Sequence, residues 1–181
     1  MARIPQISGK EDVPQDKHHI VDSIIGSRGR VSGPFSVLLH SPEVAGRAAH
    51  LGAYLRFEST LPGDLREIAI NTAAREFDCG YEWAAHSRMA KQEGVSDDVI
   101  DAIANRRDLS ALKEDEALVI QYGRELFRNK RVSDETFKAA EARFGAQGVV
   151  ELTATMGYYG MLACALNAFE VEPPADAPKL P

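Results

Sequence analysis

A chain of 181 residues, 44% hydrophobic and 27% charged, has the length and composition of one globular domain. That balance excludes a disordered chain, a collagen-like fibre and a membrane span, since apolar runs such as residues 160–166 fall well short of the ~20 residues a bilayer crossing takes. A net charge of −6 opposes approach to phosphate backbones and anionic lipid, so neither nucleic acid nor a membrane surface is expected as a partner.

Residues 1–13, with Pro5, Ser8 and Gly9, read as an irregular arm. No apolar run follows Met1, so no secretory signal is expected there. Two cysteines, Cys79 and Cys164, are too few for a disulfide scaffold, and the cytoplasm is the expected location. From Pro14 onward the apolar residues recur at helical spacing and strand signals are almost absent.

A first helix runs from Pro14 to about Ile25, with Ile20, Val21, Ile24 and Ile25 on one face and Gly26 and Gly29 as stop signals. Gly33-Pro34 breaks the chain before a short apolar turn, Phe35 to Leu39. Ser41-Pro42-Glu43 then starts a helix to Phe57 with a hydroxyl cap, a proline at the first position and an early acid.

Pro62-Gly63-Asp64 opens the next helix, which buries Leu65, Ile68, Ala69, Thr72 and Ala73 and ends near Phe77. Asp78 is the expected cap of a helix to about Glu93, stopped by Gly94. Ser96 caps a brief helix to Ala104, another spans Glu114 to Asn129, and Ser133 caps one to Phe144. The last runs from Gln147 to Phe169 with Gly148, Gly157 and Gly160 inside it, small residues suited to close helix packing or a subunit contact. Residues 170–181, with four prolines, form a tail. The expectation is one all-α domain over residues 14–169.

Cys79, Glu82 and His86 are spaced three and four apart, which places a thiol, a carboxylate and an imidazole along one helix stripe. With Asp78 as cap, Cys79 falls in the first turn, where the helix dipole favours its thiolate. Glu67 lies on the preceding helix, and a tight turn at Phe77-Asp78 lets it face the row. Each residue also has a plain structural role: a small buried thiol, an acid near a helix start, a satisfied histidine. Spacing alone does not choose between these.

Residues 65–100 resemble the carboxymuconolactone decarboxylase family, which includes AhpD-type alkylhydroperoxidases. The resemblance rests on Glu67, then Cys79 twelve residues on, in a Cys-x-x-Glu-x-x-x-His pattern completed by Glu82 and His86. The glycine stop at Gly94 and the short capped helix to Ile100 follow the family pattern too, and a looser likeness spans residues 30–170. It implies an AhpD-like bundle of six to eight helices that assembles as a trimer or hexamer. The hydroperoxidase branch carries Cys-x-His-Cys, but this chain has Tyr81 and Glu82 at the last two of those positions, so turnover by adjacent thiols is not available. Cys-x-x-Glu is the pattern of the decarboxylase-like branch.

That branch implies a cofactor-free lyase acting on a small carboxylated lactone or related ring acid. His86 is then the general acid/base, Glu67 its partner, and Glu82 orients the row, while Cys79 and Tyr81 line the pocket. Arg66, Arg75 and Arg88 are the candidate holders of a substrate carboxylate. One alternative is peroxide reduction by Cys79 with an external thiol, which Glu82 opposes by raising the thiol's pKa. Another is a non-catalytic oligomer that binds a small ligand. No phosphate loop or dinucleotide fingerprint is present, and Glu82-x-x-x-His86 is a single two-ligand unit, without the paired Glu-x-x-His motifs of di-metal bundles or a His-Glu-x-x-His. Trp83 and Met89 read as core, the His18-His19 pair as solvated, and Tyr158-Tyr159 as helix packing with a hydroxyl available to a pocket.

Overall fold

The computed structural model describes residues 2–181, and among them every regular element is helical. Two 3₁₀ turns, Lys10–Asp12 and Gln15–Lys17, lead into α1 (His18–Arg28). Then follow α2 (Pro34–Leu38), α3 (Pro42–Phe57), α4 (Gly63–Glu76) and α5 (Gly80–Gln92). The chain closes with α6 (Asp97–Ala104), α7 (Glu114–Arg128) and α8 (Asp134–Ala168).

Local signals explain most of these boundaries. The Ser96 and Ser133 hydroxyls accept from the N–H groups of Val99 and Thr136, which satisfies an orphan donor at each helix start. Pro34 and Pro42 stand in first turns, where a missing N–H costs nothing. Three expectations need correction. The first helix passes through Gly26 and stops only at Gly29, which takes the left-handed conformation with φ 78°. Ile25 accordingly faces solvent. Asp78 is not a cap: it sits in the α4–α5 turn with φ 47°, and Cys79 itself is the N-cap of α5. The last two expected helices run together as α8, broken at Gly145 (φ 67°, ψ 172°).

α4 is the central element, packed against α5, α7 and α8. Residues 67–74 are all buried, so both the apolar stripe and the opposite side carrying Glu67, Ile70 and Asn71 are covered. One apolar core joins α4, α5, α6, α7 and the middle of α8 around Ile68, Trp83, Val99, Ile120, Leu152 and Met156. A second joins α1, α2 and α3 to the C-terminal half of α8 around Ile24, Phe35, Leu55, Ile70 and Leu162. Each large side chain so buried contributes about 1.5–3 kcal/mol.

α8 contains an 18-residue stretch of mean hydropathy 1.3, apolar enough by composition to cross a membrane. That stretch is 61% buried inside the protein, so its apolarity is that of a core helix. The tail folds back onto the body. Val171 is buried and its N–H donates to the Leu166 carbonyl at 2.9 Å, while the Arg3 N–H donates to the Phe169 carbonyl at 2.8 Å.

Candidate functional site

α4 and α5 run antiparallel across a three-residue turn, and this hairpin carries the buried titratable groups. The Cys79 N–H donates to the Ala74 carbonyl at 2.8 Å, closing the turn and setting the register in which position 67 faces position 86. His86 Nδ1 lies 2.8 Å from Glu67 Oε2, and Nε2 lies 3.5 Å from Glu82 Oε2. All three residues are 4–5% exposed. The hydrogen bond between Nδ1 and Glu67 orients the ring so that Nε2 faces Glu82.

Burial pushes the Glu82 carboxyl above its ordinary pKa, and Glu67 adds to that, while His86 and Arg56 pull it back. The Glu82 carboxyl is thereby favoured to keep a proton, facing His86 Nε2. The imidazole also stands edge-on to the Tyr159 ring, with centroids 4.8 Å apart, which fixes its plane.

Glu82 and His86 form part of the wall of a cavity of about 380 Å³, together with Tyr81, Met89, Tyr158 and Tyr159. The facing wall brings Arg28 and Arg30 from the end of α1 and beyond it, Phe35 from α2 and Arg56 from α3. The Arg28 guanidinium lies 4.3 Å over the Phe35 ring, and it donates to Ser27 Oγ at 2.6 Å and to the Ala49 carbonyl at 3.3 Å. Among the described residues no carboxylate forms an ion pair with Arg28, Arg30 or Arg56. The Tyr158 hydroxyl is buried beside the Arg28 guanidinium, and burial raises its pKa against the lowering effect of that arginine. Three cations with no ion-pair partner among the described residues, beside a buried tyrosine hydroxyl, suit an anionic ligand.

A larger hollow of about 580 Å³ lies under the tail beside Arg75, Arg106 and Lys179, but both arginines there already pair with Asp78. Arg88 is exposed and reaches only the Asp176 carbonyl at 3.4 Å. The arginines that line the cavity are thus none of Arg66, Arg75 and Arg88. They come from α1 and α3, distant in sequence from the α4–α5 hairpin. The available signal was Gly52, a helix-interior glycine whose added Cβ would collide with the Tyr158 hydroxyl and stand 2.9 Å from Arg28 Nη2.

Tyr81 lines the cavity, its ring packed so closely on Gly33 (φ 57°) that a Cβ there would stand 2.7 Å from Cε1. Met89, expected in the core, also lines the cavity, whereas Trp83 is buried in the main core. Cys79 does not join the row. Its side chain is fully buried among Val37, Ala163, Leu166 and Val171, and it is absent from the cavity wall. Burial pushes its thiol up to about 11, against the lowering effect of the Glu82 and Tyr81 backbone N–H groups. Cys164 is exposed on α8. The structure therefore brings Glu67, Glu82, His86 and Tyr81 to one place and leaves the sulfur outside it.

Residues 42–119 match the model of the carboxymuconolactone decarboxylase family. No curated protein matches the sequence. A solved alkylhydroperoxidase AhpD core, an uncharacterized peroxidase-related protein from Ralstonia eutropha JMP134, is similar in fold with a TM-score of 0.78 at 16% identity, covering 97% of this chain and 93% of that one. A peroxidase-related protein from Silicibacter sp. TM1040 gives 0.73 at 14%, covering 92% and 88%. The debrominase Bmp8, solved as a cysteine-to-alanine variant with 2,3,4-tribromopyrrole, gives 0.74 at 14%, covering 95% and 91%. At these identities the likeness is one of fold.

Proposed function

We propose that this chain, which carries the carboxymuconolactone decarboxylase family match over residues 42–119 on an AhpD-like fold, is a cofactor-free lyase. It removes carbon dioxide from a small carboxylated lactone or related ring acid. The observation that carries this reading is an imidazole clamped between two buried carboxyl groups on the wall of a cavity whose other wall holds three unpaired arginines.

The chemistry asks little more of the protein. Breaking the carbon–carboxylate bond leaves an electron pair, which a carbonyl conjugated to that carbon takes up as a dienolate. A proton then passes from His86 Nε2 to carbon, forming the new carbon–hydrogen bond. Glu82, whose raised pKa keeps a proton at hand, resupplies Nε2, while Glu67 holds the ring and balances its charge.

His86→Gln and Glu67→Gln should each cut turnover of a carboxymuconolactone-type substrate by about 10²–10⁴-fold. Unchanged turnover in His86→Gln overturns the reading. Thiol redox chemistry draws support from the names of the fold neighbours alone, and the buried, raised Cys79 thiol opposes it. Peroxide consumption with dithiothreitol that is equal in wild type and Cys79→Ser removes it, and a ligand-binding protein without catalysis would show neither activity. The proposal includes a cytoplasmic homo-oligomer, trimeric or hexameric, which sedimentation can check. Leu51, Phe137 and Val150, exposed on α3 and α8, offer apolar surface for such contacts.

A further inference from the structure

We infer that the α1–α2 connection, residues 29–33, is a gate over the mouth of the cavity, and that Tyr81 is its latch, a positioning residue that holds the gate shut. Elsewhere the cavity is walled by helices, whose backbone bonds would have to break before they moved. The connection is built differently. Among the described residues no backbone–backbone hydrogen bond involves Arg30, Val31 or Ser32. The segment is bounded by Gly29 at φ 78° and Gly33 at φ 57°, two positions able to absorb a swing that most residues could not. A Cβ on Gly29 would meet nothing within 4 Å, so conformation rather than space calls for glycine there.

Exposure locates the mouth. Tyr81, Ala85 and Met89, four residues apart on one stripe of α5, are half-buried, while Glu82 and His86 lie deep. Across from that stripe Arg30 is exposed, unlike any other residue that lines the cavity. The gate therefore closes between the α1–α2 connection and the outer edge of α5.

Two contacts hold it in. The Val31 side chain is buried in the second apolar core. The Tyr81 ring reaches across the mouth to Gly33, where a Cβ would stand 3.1 Å from the phenol oxygen. Burial raises the pKa of that phenol and Glu82 adds to it, while Arg30, the Ser32 hydroxyl and the Gly33 N–H pull it back. One phenol oxygen thus gathers the polar groups of a segment with no backbone tie of its own. A ligand on its way to His86 passes between Tyr81 and Ser32, and the latch sets how often that way is open.

The gate does not depend on what the cavity transforms, so its test needs no substrate. In a Cys164→Ser background, Leu162→Cys puts a thiol on the cavity wall at a position only 4% exposed, and iodoacetamide reads how often it can be reached. Tyr81→Phe keeps the ring and removes the hydroxyl. It should speed labelling at position 162 about fivefold or more, the worth of one hydrogen bond. Cys79, buried outside the cavity, is the control and should stay unlabelled over the same period. Trypsin gives a second measurement on the chain with both native cysteines. The Arg30–Val31 bond can enter a protease only when Val31 leaves the core, so Tyr81→Phe should be cut there faster by a similar factor. Either rate left at the wild-type value by Tyr81→Phe overturns the inference. So does faster labelling at position 162 that is matched at Cys79, since that marks a general loosening of the fold.

Discussion

The backbone N–H groups of Tyr81 and Glu82 point at the Cys79 sulfur and favour its thiolate, as a helix start should. Burial outweighs them, because the thiol sits at the junction of α2, α5 and α8 with no water to solvate a charge, and its pKa is pushed up to about 11. The sequence spacing correctly put position 79 at the start of a helix, but the burial that reverses its chemistry comes from Ala163 and Leu166, more than eighty residues away. At pH 8 such a thiol is about 0.1% ionised, against roughly 10–20% for an ordinary cysteine. Native protein treated with iodoacetamide at pH 8 should therefore take one adduct, on the exposed Cys164, and a second only after denaturation. Mass spectrometry of the two samples checks this. Rapid native labelling of Cys79 would bring thiol catalysis back into contention.

At the scale of the element, the helices with a clean signal were legible: Ser96 and Ser133 supply caps, Pro42 a first turn, Gly94 a stop. α4 was legible as a helix but not as the centre of the fold, because a helix buried on all sides has no polar face to mark its orientation. The Glu67–His86 pair could be read from one hairpin, since antiparallel helices joined by a short turn fix that register locally. The arginine wall could not, because it depends on how α1 and α3 pack beside that hairpin.

The glycines of α8 divide in the same way. Gly160 is buried and a Cβ there would stand 3.0 Å from the Phe77 ring, so it is the position where α8 closes on the α4–α5 turn. Gly157 is exposed and a Cβ would meet nothing within 4 Å. Gly157→Ala should raise stability by about 0.5–1 kcal/mol through helix propensity, and Gly160→Ala should lower it by about 1–3 kcal/mol through overpacking. Urea midpoints of the two variants decide it. Equal effects of the same sign would mean that Gly160 is not a packing contact.

Across the whole molecule, α1–α3 are held against α8 by a shared apolar core, and one buried carboxylate adds polar contacts between α8 and α3. Glu151 of α8 accepts from the Tyr54 hydroxyl of α3 at 2.6 Å, from the Thr60 N–H at 2.8 Å and hydroxyl at 2.6 Å, and from Gln147 at 3.0 Å. Burial alone would raise its pKa, but the hydrogen bonds from Thr60, Tyr54 and Gln147 outweigh that and hold it at about 2. A carboxyl whose folded pKa lies below its ordinary value near 4.5 stabilises the fold fully above that value, and loses its contribution as pH falls from 4.5 towards 2. Glu151→Gln keeps the shape but exchanges one acceptor oxygen for a donor facing other donors, so at pH 7 it should cost about 1–3 kcal/mol. That cost should shrink steadily below pH 4.5 and be mostly gone near pH 2, where half of the folded wild type has itself lost the charge. Urea unfolding of both proteins at pH 7, 4 and 3 measures the difference. A cost independent of pH would show that Glu151 acts by shape alone and that its charge does not join α3 to α8.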